Sequence, residues 1–398
     1  MTGISTAGSV LIVLHRVGPY HHARFQAAAA VLDAPLLVLQ TRPQSEEYPW
    51  SFGVKRAAYT LLSLEGCPSP EEDPPQQVLR HQLAALINHY CPSVIVSVGW
   101  ADRAYLQLMR LAQQRDIPLV VVSDSRYQDT PRSLLKEWIK RQLLRGYSAG
   151  IVAGFQSRAY LQQLGMDADA IQQPWDVVDN QQFARLAAEA AKEKPSNLDA
   201  PFLCVGRFIP EKNHALLLRA FSRYQSQGGT RSLLLVGHGP LEQQILLACQ
   251  HLPRPQAVTV APFMQLEQLA CHYGRAHALV LASCKDTWGL VVNEAMASGL
   301  PVIVSSACGC SDDLVGDGVE GWCFPSGDLD ALTSCLHRAD QQSLEDRHRM
   351  VKAAQSRLES FSLDAFAQAV RKACQHAQDH PRQARRSQLM AAFVLTSC

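Results

Sequence analysis

Residues 279–305 read Leu279-Val-Leu-Ala-Ser283-Cys-Lys285-Asp286-Thr287-Trp288-Gly289-Leu290-Val-Val-Asn293-Glu294-Ala-Met-Ala-Ser-Gly299-Leu-Pro301-Val302-Ile-Val-Ser305. An apolar run at 279–282 leads into a glycine-containing loop. A helical pattern at 290–299 follows, then a second apolar run at 302–305. The two runs are continuous rather than alternating, which suits strands covered on both faces. A helix between two such strands is a crossover, and crossovers join parallel strands.

The same rhythm runs outward from this stretch. Further strand candidates lie at 10–14, 36–39, 94–98, 119–122 and 150–153, and then at 202–205, 233–236 and 257–260. Helical patterns fall between them at 23–32, 76–89, 103–115, 132–145, 214–224, 241–252 and 266–273. The expected fold class is α/β, built from doubly wound parallel sheets. The strands form two series separated by residues 184–200, where Lys192-Glu-Lys-Pro-Ser196 breaks the pattern. This predicts a Rossmann-like domain at 1–183, a linker at 184–200 and a second Rossmann-like domain at 201–378, whose last helices are allowed to return to the first domain. Two such domains would leave a cleft between their facing strand ends, since ligands of these sheets bind outside the carboxyl ends of strands. The proline- and acid-rich residues 65–75 read as a surface loop. The tail 379–398, basic at Arg382, Arg385 and Arg386, is expected to be poorly ordered.

Composition agrees with two globular domains. The chain has 398 residues, 47% hydrophobic and 18% charged, and a net charge of 37 − 36 = +1. Such a balance excludes disordered and collagen-like classes and supplies no global field for nucleic acid. Twelve cysteines at irregular spacing are too dilute for a disulfide scaffold, so buried thiols in a reducing compartment are expected. Residues 1–14 lack a positively charged leader, and no apolar run approaches the roughly 18 residues that span a bilayer. The expected location is the cytoplasm, with attachment at the cytosolic membrane face left open.

Three constellations carry chemistry. In the quoted stretch, free N–H groups at the helix start suit anionic oxygens. Asp286 and Glu294 are 294 − 286 = 8 residues apart, one in the loop and one inside the helix, so they should grip different parts of one elongated ligand. Ionised carboxylates only accept hydrogen bonds, which matches sugar and ribose hydroxyls. In Cys204-Val-Gly206-Arg207-Phe208-Ile-Pro-Glu-Lys212-Asn213, a strand ends in glycine and two cations follow, a loop suited to clamp a diphosphate. Leu235-Val-Gly237-His-Gly239-Pro240 is a third strand-end turn, which alone is a weak signal and reads first as a plain turn.

In this order and spacing the three constellations resemble the carboxyl-terminal half of retaining GT-B glycosyltransferases, glycosyltransferase family 4. The resemblance runs from about Phe202 to Asp328 and includes Asp312-Asp313-Leu-Val315, Gly318-x-x-Gly321 and Pro325-x-Gly327-Asp328. It implies a GT-B fold and transfer of a sugar from a nucleotide-diphosphate sugar to an acceptor hydroxyl, with retention, in glycan, polysaccharide or glycolipid synthesis. The nucleotide sugar is a co-substrate; no cofactor and no metal are implied. Arg207 and Lys212 would hold the diphosphate, Glu294 the ribose hydroxyls and Asp286 the sugar hydroxyls. Gly206, Gly237, Gly239, Thr287 and the amides of Trp288, Gly289 and Leu290 would line the donor. Two positions depart from the family pattern: Asp286 stands where it has Glu, and Trp288 where it has Phe. In the amino-terminal half, Gly18 is placed for close approach to the donor phosphate. His21 and His22 are acceptor-side candidates, and Asp124 stands where the family often has a histidine.

Other readings stay open at this stage. His21 and His22 also suit capping and packing, and Asp124 suits a turn. Cys308 and Cys310 read as core thiols rather than metal ligands. A nucleotide-sugar epimerase of the same architecture, or a non-catalytic nucleotide-sugar-binding protein, is the alternative function. The segment 132–145 is a basic amphipathic helix, with Leu134, Leu135, Trp138, Ile139 and Leu143 on one side. It suits either packing on the amino-terminal domain or contact with an anionic membrane surface.

Overall fold

The computed structural model describes residues 8–43, 53, 56–67, 72–100, 102–192, 200–382 and 385–397. The chain divides into two compact units, Met1–Val177 with Leu363–Cys398, and Val178–Ser362.

The first unit carries strands β1 (Ser9–Leu14), β2 (Leu36–Gln40), β3 (Thr60–Ser63), β4 (Pro92–Val98), β5 (Leu119–Ser123), β6 (Ala149–Val152) and β7 (Ile171–Gln172) in the order β3-β2-β1-β4-β5-β6-β7. Its helices are α1 (Pro19–Val31), α2 (Gln76–Tyr90), α3 (Arg103–Gln113), α4 (Leu134–Leu144) and α5 (Phe155–Leu164), joined by α14 (Leu363–Asp379) and α15 (Arg385–Ser397) from the chain's end. Every residue of β1, β2, β5 and β6 is buried, as continuous apolar runs require. The register sets Ile12 beside Val38 on one side and Val96 on the other. Helix α14 packs on α1, and α15 packs on α3 and α4.

The second unit holds α6 (Asn180–Ala191), β8 (Phe202–Val205), α7 (His214–Ser226), β9 (Leu233–Val236), α8 (Glu242–Gln250), β10 (Val258–Ala261), α9 (Leu266–Arg275), β11 (Ala278–Leu281), α10 (Leu290–Ala297), β12 (Val302–Ser305), α11 (Ser311–Leu314), β13 (Trp322–Phe324), α12 (Leu329–Asp340) and α13 (Leu344–Leu358). Its sheet order is β10-β9-β8-β11-β12-β13. Among the described residues all neighbouring strands in both sheets are parallel. Strand order reverses between β1 and β4 in the first unit and between β8 and β11 in the second. Those switch points open the crevices in which such sheets bind ligands.

Two sequence expectations are corrected. The first half of the supposed linker belongs to α6, which packs on α9 within the second unit; residues 193–199 lie outside the described residues. A Cβ on Gly274 would stand 2.3 Å from the Ala187 carbonyl oxygen, so the glycine in α9 is what lets the two helices approach. The basic tail is not irregular: it contains α15, with Ala391 and Leu395 buried in the core of the first unit. In the 65–75 loop, residues 68–71 lie outside the described residues.

Candidate functional site

The switch point of the second unit is flanked by the loops that leave β8 and β11, and these hold the charged residues read from the sequence. After β8, Gly206 and Arg207 lead into a 3-10 turn at Pro210–Lys212, and the Asn213 side chain caps α7 by accepting from the Leu216 N–H. After β11 come Asp286 and then Gly289, whose φ of 101° admits glycine readily and starts α10. The loops are stitched together. The Cys284 N–H donates to the Glu211 carbonyl at 2.9 Å, and Lys212 Nζ donates to Asp286 Oδ2 at 2.6 Å. The Ser283 hydroxyl donates to the same carboxylate oxygen at 3.4 Å.

Two further strand-end loops join this assembly. From the loop after β9, the His238 carbonyl accepts from the Phe208 N–H at 2.7 Å. A Cβ on Gly237 would stand 1.9 Å from the Gly206 carbonyl oxygen, and one on Gly239 would stand 2.7 Å from that of Phe208. These two glycines are therefore accounted for by loop-on-loop packing. From the loop after β12, the Gly309 N–H donates to the Asp286 carbonyl at 3.0 Å, and a Cβ on Gly309 would stand 1.8 Å from the Thr287 carbonyl oxygen. Sequence reading took Cys308-Gly-Cys310 as two core thiols. Both are fully buried, but the glycine between them is what seats the Asp286 loop.

Glu294 lies on α10, only 2% exposed, and accepts a 2.6 Å hydrogen bond from the Tyr273 hydroxyl of α9. Tyr273 was missed in the sequence, where it reads as one more apolar position of its helix. Trp288 is also buried; its indole N–H donates to Asn293 Oδ1 at 2.9 Å and its ring lies 5.5 Å from that of Phe361. The side chain is core, and Trp288 has only its backbone to offer a ligand. Thr287 and Leu290 flank the loop at the start of α10, whose first amides lack intrahelical acceptors. Arg207, Lys212, Asp286 and Glu294 thus all stand on loops or helices at the carboxyl end of one sheet. The arrangement supplies two cations, two carboxylates and a helix start, a set suited to an anionic ligand that also carries hydroxyl groups.

The candidates of the first unit are more firmly tied into structure. The Gly18 N–H donates to His21 Nδ1 at 3.3 Å, and burial beside Arg24 pushes the His21 imidazole down to about 3. His22 Nδ1 lies 2.9 Å from the Tyr59 hydroxyl, in a cluster where Phe25 meets both Tyr59 and Trp175. Asp124 follows β5, and its carbonyl accepts from the Ser157 hydroxyl at 3.2 Å. At the switch point of this unit stands a group the sequence reading overlooked. His15 after β1 meets Asp102 after β4, Nε2 to Oδ2, at 2.7 Å. Arg42 after β2 bridges Asp102 at 3.1 Å and Asp73 at 3.0 Å. These four residues are spread over 88 positions; the strand order 2-1-4 sets Arg42, His15 and Asp102 side by side, and Asp73 comes in from the connection between β3 and α2.

Residues 188–357 match the family model of glycosyl transferases group 1, a span running from α6 into α13. The amylovoran biosynthesis glycosyltransferase AmsK of Erwinia amylovora is 29% identical over 164 residues, covering 40% of this chain and 40% of that protein. The chain covers less than half the length of the curated relatives it matches. Among solved structures, a glycosyltransferase from Rickettsia africae superposes with a TM-score of 0.70 over 93% of this chain and 98% of that one at 15% identity. Anabaena HepE in complex with UDP and glucose superposes with a TM-score of 0.68, over 91% of this chain and 97% of that one, also at 15% identity. The likeness shows the fold: two parallel-sheet α/β units in the GT-B architecture.

Proposed function

We propose that the chain is a glycosyltransferase that moves a sugar from a nucleotide-diphosphate sugar to an acceptor hydroxyl with retention at the anomeric carbon, as in family 4 of the GT-B enzymes. The observation that carries this reading is the Lys212–Asp286 ion pair between the loops that leave β8 and β11 at the switch point of a sheet whose sequence matches glycosyl transferases group 1, with Arg207 on the first loop and Glu294 on the helix that follows the second. The second unit is read as the donor-binding half and the first as the acceptor-recognising half.

In the reaction the bond from the anomeric carbon to the diphosphate oxygen breaks and a bond from that carbon to the acceptor oxygen forms. The acceptor proton leaves with the departing diphosphate. Negative charge develops on that leaving group. Arg207, Lys212 and the amides at the start of α10 lower the barrier by meeting the charge with preorganised donors. Glu294 accepts from the ribose hydroxyls and Asp286 from those of the sugar. The relative's role in amylovoran biosynthesis supports a polysaccharide or glycolipid product, and the UDP seen in HepE supports a uridine nucleotide among the donors to be tried first.

A thermal-shift panel of UDP-, GDP- and ADP-sugars tests the reading. A ligand at about 100 times its dissociation constant stabilises by about 2.7 kcal/mol, which raises the melting temperature of a domain this size by roughly 5–10 °C. One donor class should do so, and turnover with an acceptor panel should follow. No shift with any sugar nucleotide contradicts the proposal.

A further inference from the structure

Helix α4 buries only its carboxyl-terminal end. Gln142, Leu143 and Leu144 are buried, whereas Leu134 is 94%, Leu135 65% and Trp138 51% exposed. Beside it, α15 uses Ala391 and Leu395 to pack into the unit and leaves Leu389 and Phe393 outside, at 71% and 62% exposure. Five large apolar side chains thus face water on two helices that pack on one another, and a patch of that kind marks a contact surface.

The exposed charges of α4 and of the residue that caps its carboxyl end have one sign. Lys136, Arg141 and Arg145 of this segment are all exposed. The one acid of α4, Glu137, is taken up inward: Lys140 Nζ donates to it at 2.9 Å and the Tyr160 hydroxyl at 2.8 Å. Helix α15 contains no acidic residue. A second copy of the chain meeting this face through a two-fold axis would set cations against cations. An anionic surface would meet them with opposite charge. Trp138 presents an amphipathic ring of the kind that settles at the boundary between headgroups and acyl chains.

We propose that α4 and α15 together form a docking face for an anionic lipid bilayer, with the apolar side chains entering the acyl boundary and Lys136, Arg141 and Arg145 meeting the headgroups. Among the described residues no helix is long and apolar enough to cross a membrane, so the contact is peripheral. The proposal is independent of the catalytic reading, because its readout is binding.

The test is co-sedimentation of the full chain with vesicles of phosphatidylcholine alone and with 30% phosphatidylglycerol added, at ~50 mM and ~500 mM salt, with light scattering of the free protein alongside. Binding is expected only with the anionic vesicles and should weaken in high salt. Each cation near such a surface strengthens binding about fivefold, so the triple variant K136Q/R141Q/R145Q should lose on the order of a hundredfold. On the apolar side, Trp138→Ala and Phe393→Ser should each lose roughly tenfold or more. These positions are exposed, so melting temperature should stay within ~2 °C of wild type, which keeps loss of binding distinct from loss of fold. Three results overturn the proposal: a wild-type protein that ignores anionic vesicles at low salt, binding that survives both sets of substitutions, or a stable dimer that Phe393→Ser dissociates.

Discussion

Lys212 Nζ lies 2.6 Å from Asp286 Oδ2, joining the loop after β8 to the loop after β11. The sequence reading gave the cation to the diphosphate and the acid to the sugar as separate tasks. The ion pair couples them: on the proposed reading Asp286 positions the lysine, and an incoming phosphate would share that lysine with the carboxylate. Arg207→Ala and Lys212→Ala should each raise the activation free energy by roughly 3 kcal/mol, on the order of a hundredfold in turnover. Lys212→Ala should also lower the melting temperature, since it removes the cation paired with the largely buried Asp286 carboxylate; a loss of about 1–3 kcal/mol is expected. Steady-state rates and thermal melts of the two variants check this. Near-wild-type turnover in both would remove the clamp.

The same ion pair sharpens the division between the two acids. Asp286→Asn keeps the volume and removes the charge that competes with phosphate for Lys212. Turnover should fall about a hundredfold, while affinity for free nucleoside diphosphate should hold or rise. Glu294→Gln, by contrast, should lose nucleoside diphosphate affinity, because its carboxylate is assigned to the ribose. Isothermal titration with the diphosphate separates the outcomes, and equal loss in the two variants contradicts the assignment.

Tyr273 holds Glu294 from outside the donor loops. Its hydroxyl hydrogen bond to the buried carboxylate at 2.6 Å is of a kind that contributes about 1.5–3 kcal/mol. Tyr273→Phe keeps the ring, which packs edge-on against Phe183, and removes only the hydroxyl. A positioning role predicts a rise of roughly tenfold in the donor KM with kcat within about twofold. A merely structural role would lower the melting temperature and leave the donor KM where it was.

The parallel fold was legible because its central strands are continuous apolar runs, such as Val10-Leu-Ile-Val-Leu14 and Val302-Ile-Val-Ser305. The strands missed are β3, β7 and β13, which have four, two and three residues and lie at or next to the sheet edges. β7 and β13 are too short to carry a period, and β3, as long as β8 and β9, was missed because Thr60-Leu-Leu-Ser63 has only two apolar residues and lies partly exposed. The candidates Arg207, Lys212 and Asp286 stood out because they lie within seven residues of the end of β8 or β11, whereas Glu294, 13 residues past β11, was read from its spacing to Asp286 and the helical pattern around it. His15, Arg42, Asp73 and Asp102 did not stand out, since only the fold unites them, and Tyr273 was hidden because α9 buries it beside Leu269 and Ala270. Leu134, Leu135 and Trp138 form an apolar stripe in the sequence, and whether such a stripe is covered depends on the length of the neighbouring helices, which the stripe does not encode.

Stability should fall below neutral pH, and His214 is one cause. It begins α7 immediately after Lys212-Asn213, its ring stands edge-on to Phe208 at 5.0 Å, and neither ring nitrogen has a hydrogen-bond partner among the described residues. Burial, aided by the Lys212 charge, pushes its imidazole down to about 4. His277 in the same unit is likewise pushed to about 4, mainly by burial, even though its ring bonds the Ala339 carbonyl at 2.8 Å. An unfolded histidine titrates near 6.5. Between pH 6.5 and about 4 the unfolded chain therefore binds protons that the folded unit refuses, so folding stability drops as pH falls through that window and is unaffected by these groups above it. At pH 5 each histidine should cost about 2 kcal/mol. His214→Phe substitutes a ring of similar size that cannot titrate and has no unpaired nitrogen. Urea unfolding at pH 7.5 and pH 5 should show a wild-type loss of stability that His214→Phe reduces by about 2 kcal/mol, with the variant at least as stable as wild type at pH 5. The same pH 7.5-to-5 difference in both proteins would show that His214 is not among the groups that set it.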